Sequence, residues 1–411
     1  MNISVSDPAG SLPVPDSDFD RELAKRLVEV RAGMEKAGLD VLVCADSGGW
    51  FQPSGATRYL TGFAFGPMAG VIEKAAVVVP AQGPPVLVVP QGPRGGIAAW
   101  ARRTARGAQV RSDPEGGLAG DLMEDIAAVV RESAGPRARV GLSGTFAGWP
   151  EALAENLPHA ELVDTAVRDG GGSRRDLLER VRARKSPWEV AALVEAQRCA
   201  EAGMEAFLAA ATPGRRLTEA VAEAHVAAVR AGAEDQLTIM NCGSDPWMWW
   251  NAQEQRRFSD HHVLTLETNA RYHGYVAQYA RATTLGPSSG AQQALLETAH
   301  ASLTAMVDRL RVGATGDDLY QVATEPIKRA GLQPWGRFGH GTGLSADESL
   351  AVAPGDDNVV ADGTCLALHA SVLDPESNET VLVGEQFVVA KGRVLPLSAH
   401  SQHATQQEVE Q

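Results

Sequence analysis

The chain has 411 residues, a formal net charge of −14, 44% hydrophobic residues and 21% charged residues. That apolar fraction supplies a full core, and the length suits two domains. The acidic balance argues against sequence-independent nucleic-acid binding, which needs a basic face to displace counterions. No run of eighteen apolar residues suggests a membrane span.

The first twenty residues (MNISVSDPAGSLPVPDSDFD) are polar and Pro-rich, without a basic start or an apolar stretch. They read as a flexible arm over 1–16 rather than a secretion signal, so the expected location is the cytoplasm. From Phe19 to about Lys36 the apolar spacing is helical, and Leu39–Ala45 suits a buried strand. Ala75–Pro80 and Pro85–Pro90 read as two further strands joined by the turn Ala81-Gln82-Gly83-Pro84. A helix over Leu118–Ser133 and strands at Ala138–Leu142 and Glu161–Asp164 complete an α/β layer. Gly92-Pro93-Arg94-Gly95-Gly96 lacks the strand–GxGxxG–helix context of a nucleotide site. The cysteines at 44, 199, 242 and 365 are far apart and form no CxxC pair, so they read as buried free thiols.

A domain boundary falls at the Gly-rich stretch 169–173, giving domains at 1–175 and 176–411, the latter ending in a frayed tail over 400–411. Ser186-Pro187-Trp188-Glu189 is a helix start: Ser as N-cap, Pro in the first turn, Glu three residues after the cap. That helix runs to about Ala210 and a second spans Leu217–Arg230. Strands follow at Gln236–Met240, Val263–Thr268 and Tyr275–Thr283, then helices at Gly290–Val312 and Thr315–Ala330. A Gly-rich turn over Phe338–Gly343 precedes strands at Cys365–Ser371, Thr380–Val383 and Glu385–Ala390. Helices grouped around strands without βαβ alternation describe an α+β domain.

Several of these segments together resemble the creatinase/aminopeptidase P family. Arg182–Glu189 (RARKSPWE) is similar to the family linker that opens the C-terminal domain. Gly274–Arg281 (GYVAQYAR) resembles its Gly-Tyr-x-x-Asp-x-x-Arg strand, and His340–Glu348 (HGTGLSADE) its His-Gly-x-Gly-Leu-x-x-His-Glu turn. Asp362–His369 (DGTCLALH) resembles Pro-Gly-Met-x-x-x-x-Glu, Gly384-Glu385 the last ligand strand, and Arg58–Phe63 (RYLTGF) an N-terminal family motif. The resemblance implies an α/β creatinase-like N-terminal domain and an α+β pita-bread C-terminal catalytic domain. It also implies a homodimer, for which the weakly charged segment Tyr59–Gly70 offers an apolar surface.

Where the family's metallopeptidases hold two metals with Asp, Asp, His, Glu and Glu, this chain places Glu267, Gln278, His340, His369 and Glu385. An amide at Gln278 carries no full charge and bridges two ions poorly, so a two-metal centre is not expected. The family's loop His falls at about Trp250, and the loop 243–253 has no His. The expected cofactor is none, or one Zn or Fe ion at His340, His369 and Glu385 with Glu267 or Gln278. The alternative at His369 is a hydrogen-bonded core histidine, and at Arg281 a structural ion pair.

The catalytic candidates are Glu267, His340, His369 and Glu385, with Asp347 and Glu348 nearby. If Glu267 faces a closed pocket, burial raises its pKa and suits it to acid–base work. Trp247, Trp249 and Trp250 offer either an aromatic wall for a cationic substrate or core packing. Gln278 and Arg337 are further substrate-binding candidates, Arg337 for a carboxylate. Three readings stay open. The leading one is a creatinase- or ectoine hydrolase-like hydrolase or lyase acting on a small polar or amino-acid-like metabolite. The second is an aminopeptidase P-like metallopeptidase, and the third a non-hydrolytic binding or metabolite-tailoring protein.

Overall fold

The structure is a computed structural model that describes residues 16–47, 55–64, 74–112, 122–144, 148–167, 175–244, 248–249 and 256–401. Trp247 and Trp250 lie outside these residues, as do the terminal arm, the tail beyond 401 and the 65–70 part of the apolar segment. The chain divides into two compact units, 13–169 with 174–182, and 183–411 with 1–12 and 170–173.

In the N-terminal unit the elements run α1 (Asp16–Ala37), β1 (Val41–Ser47), α2 (Gly55–Thr61), β2 (Lys74–Pro80), β3 (Val86–Val88), α3 (Gly96–Thr104), β4 (Gln109–Arg111), α4 (Leu122–Ala134), β5 (Arg139–Ser143), α5 (Trp149–Asn156), β6 (Glu161–Asp164) and α6 (Leu177–Arg182). The strands form one six-stranded mixed sheet in the order β4-β3-β2-β1-β5-β6. Val41, Val43, Val78 and Val88 pack beneath Ile126, Val130 and Leu153. Helices α2, α3 and α5 are at most nine residues long, too short to show a clear 3.6-residue pattern in the sequence.

The C-terminal unit begins with α7 (Pro187–Ala210) and α8 (Leu217–Arg230). Strands β7 (Asp235–Cys242), β8 (Met248–Trp249), β9 (Val263–Tyr272) and β10 (Tyr275–Thr284) follow, then α9 (Gly290–Arg309) and α10 (Gly316–Arg329). The chain closes with β11 (Gln333–Pro334), β12 (Gly339–Gly341), β13 (Glu348–Ala351), β14 (Cys365–Leu373), β15 (Thr380–Ala390) and β16 (Arg393–Pro396). One ten-stranded sheet has the path β13-β12-β14-β15-β10-β9-β7-β8, with β11 on β14 and β16 on β15. The cap on α7 forms as its sequence dictates. Ser186 Oγ accepts from the Glu189 amide at 3.2 Å, and the Ser186 amide donates to Glu189 Oε2 at 2.8 Å.

Helices α7 and α8 cover one half of the sheet through Ala200, Met204, Phe207, Leu264, Leu266 and Tyr279. Helices α9 and α10 cover the other half through Leu303, Ile327, Leu368, Val383 and Phe387. The helices thus bury one face of the strands, and alternation turns the residues between these apolar positions to the other face.

Two expectations are corrected here. Residues 380–390 form one unbroken strand, not two, because every residue of it either pairs with β14 or continues to β16. The Gly-rich turn at 338–343 contains a strand, β12, inserted between β13 and β14. Gly339 permits that insertion. Its φ is +152°, and a Cβ there would stand 2.4 Å from the Ala367 carbonyl oxygen. Gly339→Ala is therefore expected to cost about 2–4 kcal/mol of stability by chemical denaturation, with a wild-type result removing the close approach as the reason for glycine.

Candidate active site

Directly opposed residues in an antiparallel ladder point to the same side, so the register states which side chains share a face. Glu267 opposes Ala280, Ala280 opposes Gly384, and Gly384 opposes His369. In the adjacent row Asn269 opposes Gln278, and farther along the same row Gln386 opposes Ala367 and Ala367 opposes His340. Glu267, Gln278, Gln386, His340 and His369 therefore share the face turned away from the helices. Between Glu267 and His369 in this row stand only the small residues Ala280 and Gly384. Three interstrand spacings separate those two backbones by roughly 14 Å.

Burial sets the protonation of this group. Glu267 is 5% exposed and accepts from Asn269 Nδ2 at 2.9 Å. Burial raises its pKa, against hydrogen bonds from Asn269 and Gln278 that oppose the rise. His340 is 3% exposed, with Nδ1 3.0 Å from the Gly341 carbonyl oxygen. Burial lowers its pKa, with Asp347 pulling the other way. His369 is held well below the ordinary imidazole value by burial, then by His340 and Arg337. The two rings tilt against each other with centroids 5.4 Å apart. Near neutral pH the face thus carries two uncharged imidazoles and a carboxyl that keeps its proton more readily than a free one.

Arg337 stands at the rim, in a two-point ion pair with Asp347 at 3.1 and 2.5 Å. Asp347 Oδ1 is also 3.8 Å from His340 Nδ1. The positive charge of Arg337 reaches Glu267, His340 and His369 alike, so this arginine belongs to the same neighbourhood.

One candidate falls on the opposite face. Glu385 opposes Leu368, a core residue, and so faces the helices. There it accepts from Arg281 Nη2 at 2.8 Å and from Ser401 Oγ, and Arg281 lies over the Tyr279 ring at 3.9 Å. The expectation that Glu385 joins His340 and His369 is corrected by one step of register: Gly384 holds the inner position. A side chain would not fit there, since a Cβ on Gly384 would lie 2.7 Å from His369 Cβ. Glu348 stays beside the site, its charge acting on His340. Its carboxylate is ion-paired with Lys185 Nζ at 2.8 Å in a nearly buried site, which ties the turn after β12 to the start of α7. Trp249 lies in β8, and Trp247 and Trp250 fall outside the described residues. Arg281 is the structural ion-pair partner that the sequence offered as its alternative. Gln386 was missed, because with Glu385 taken as the inner residue the alternation turns Gln386 to the helix side, and only the pairing of Gly384 with His369 brings it to the inner face.

Fold and site together define a pita-bread domain preceded by a creatinase-type α/β domain. Residues 191–391 match the profile of metallopeptidase family M24, and residues 26–169 match the creatinase/prolidase N-terminal domain. The chain belongs to the creatinase/aminopeptidase P superfamily. An Xaa-Pro dipeptidase from Pyrococcus furiosus is 22% identical over 219 residues, a match covering 51% of this chain and 63% of that protein. The prolidase of Pyrococcus horikoshii superposes with a TM-score of 0.73 at 18% identity, over 91% of this chain and 97% of that one. The dipeptidase PepE of Mycobacterium ulcerans gives 0.72 at 22% identity, over 94% and 97%. The N-terminal domain of the FACT subunit SPT16 from chickpea gives 0.68 at 15% identity, over 94% and 98%. At these identities the structural likeness speaks for the fold.

The family name implies bound metal, and the donors decide whether this face suits it. The inner face offers one carboxylate, Glu267, and an amide at Gln278, and the place opposite His369 is Gly384. Two hard ions held close together need several bridging carboxylates, so these residues do not fit a two-ion centre. The single-ion set of His340, His369 and Glu385 is split between the two faces. Among the described residues no three His, Cys, Asp or Glu side chains gather with ligating geometry.

The buried imidazoles carry a stability consequence. His340 and His369 hold protons less readily folded than unfolded. As pH falls below about 6.5, the unfolded chain takes up protons that the native state refuses, and stability declines. Glu267 acts oppositely, since its raised pKa costs stability as pH rises through its folded value. Urea unfolding at pH 7 and pH 5 should show a smaller acid-induced loss in His369→Gln than in wild type, and equal losses would contradict a neutral buried imidazole.

Proposed function

We propose that this chain is a hydrolase that cleaves the C–N bond of a small, dipeptide-like substrate by acid–base chemistry on the inner face of the C-terminal domain. The observation that carries this reading is the sharing of one face by Glu267, His340 and His369, with both imidazoles neutral and the carboxyl inclined to stay protonated. A neutral imidazole can take a proton from an attacking water, and a protonated carboxyl can give one to the departing nitrogen. Water then adds across the C–N bond, the hydroxyl going to carbon and the protons to nitrogen and back to Glu267. Arg337 at the rim is suited to hold a substrate carboxylate, as it now holds Asp347.

The Xaa-Pro dipeptidases among the relatives support a peptidase over the metabolite hydrolase or lyase that the resemblance first suggested. The metabolite reading keeps one observation in its favour: Gln278 and Gly384 stand where the strand register leaves no second and third carboxylate. The protein should hydrolyse Xaa-Pro dipeptides in the presence of a chelator, and His340→Ala should lower kcat by about 10²–10⁴. Turnover of creatine or ectoine without any dipeptide cleavage would move the assignment to the second reading. Restoration of activity by added Mn or Zn after complete chelation would overturn the acid–base mechanism.

A further inference from the structure

Away from the inner face, the N-terminal unit holds a cavity of about 440 Å³ beside α1. The buried stripe of α1 carries Arg26, Val30 and Met34 into the unit. Asp20, Leu23, Ala24 and Leu27 repeat at helical spacing just round the helix from that stripe, and they line the cavity. Leu60 of α2 and Pro85 complete its apolar wall, and the loop at Arg106 and Gly107 closes it. Two backbone bonds fix that loop. The Arg106 amide donates to the Thr61 carbonyl at 2.7 Å, and the Gln109 amide donates to the Pro85 carbonyl at 2.9 Å. Ala24 and Gly107 keep the hollow open, since one carries a methyl group and the other no side chain. A Cβ on Gly107 would meet nothing within 4 Å.

Of the residues that line this cavity, Asp20 and Arg106 carry charge. Arg106 Nη1 lies 3.4 Å from Asp20 Oδ1, with the arginine side chain 36% exposed and the aspartate 65%. Charge-assisted bonds close to about 2.7–2.9 Å when tight, so this pair is loose. A loose, exposed pair contributes little that a ligand would have to replace. The neighbouring charges of α1 are engaged with each other: Arg21 with Asp18, Lys25 with Glu29 and Arg26 with Glu22. The cavity therefore presents an apolar wall with one cation and one anion side by side. Small-molecule sites run from about 300 to 1,000 Å³, and this one lies at the small end of that range.

We propose that this cavity binds a free α-amino acid with a branched aliphatic side chain. Its carboxylate pairs with Arg106, its ammonium pairs with Asp20, and its side chain lies against Leu23, Leu27, Leu60 and Pro85. The site belongs to the N-terminal unit and does not depend on the hydrolase reading. A zwitterion answers both charges at once, replacing one loose contact with two closer ones. The apolar wall supplies the gain from burial, which a ligand without a side chain forgoes. A fatty acid answers Arg106 but sets its carboxylate beside that of Asp20, where like charges repel. An alkylamine meets the converse conflict with Arg106.

Binding to the full chain tests this without turnover. Leucine, glycine, 4-methylpentanoate and 3-methylbutylamine are titrated by calorimetry and by saturation-transfer NMR. Leucine should bind, and the other three should bind at least about 10-fold more weakly, each lacking the side chain or one charge. Arg106→Gln should weaken leucine binding by about 10-fold. Ala24→Phe, at an exposed helix position, fills the hollow and should abolish binding with the melting temperature unchanged. Arg337→Gln, on the C-terminal unit, should leave leucine binding as in wild type. Leucine binding that survives Arg106→Gln and Ala24→Phe but is lost in Arg337→Gln places the amino acid on the inner face and overturns the proposal. So does 4-methylpentanoate binding as tightly as leucine, or leucine failing to bind at concentrations approaching its solubility.

Discussion

The alternation of four strands governs everything in the C-terminal unit. Across β9, β10, β15 and β14 one row runs Glu267, Ala280, Gly384, His369. The row one residue along runs Thr268, Tyr279 on β9 and β10, and Glu385, Leu368 on β15 and β14. One residue of slip would exchange an active face for a core face. The core itself holds the register: Leu264, Leu266, Leu368, Val383 and Phe387 are buried under the helix pairs. The acid–base group is therefore positioned by hydrophobic burial on the opposite side of the same strands.

That arrangement explains how Glu385 can be buried and charged on the helix side. Its carboxylate meets Arg281 and Ser401, and the guanidinium lies against Tyr279. A buried carboxylate without such partners would be costly. Nearby, Glu201 on α7 accepts from Gln197 at 3.1 Å, and burial raises its pKa. The helix side of the sheet thus carries its own small polar network. It fastens β10, β15 and the segment around Ser398–Ser401 together, and it is separate from the inner face.

The inner face is built differently. One carboxyl and two imidazoles are kept short of charge by burial, and amide oxygens are left without donors. A centre for two divalent ions needs concentrated negative charge, and this face has little. The same scarcity of charge suits acid–base work, where each group must hold the right protonation state near neutral pH. Arg337 and Asp347 place the strongest charges at the rim, where water still reaches them.

Composition and periodicity by themselves fixed the two-domain division in outline, the long helices and the central strands. These signals are local: a capping box at Ser186 and Glu189, or a run of Val and Leu, acts within a few residues. The inner placement of Glu267 was also legible, because Leu264 and Leu266 alternate with it. The short helices were not, since they are too short to show a 3.6-residue pattern, nor was the strand at Gly339–Gly341, which is made by its pairing with β13 and β14. The site was legible in type and misjudged in membership. Whether Gly384 or Glu385 stands beside His369 depends on which residue of β15 pairs with which residue of β14, and no local pattern states it. The partnership of Lys185 with Glu348 spans 163 positions, and that of Arg281 with Glu385 spans 104. Sequence determined which residues prefer burial and which bear chemistry. Only the tertiary structure decided which of them meet, because cross-strand register is a property of the whole sheet packed against its helices.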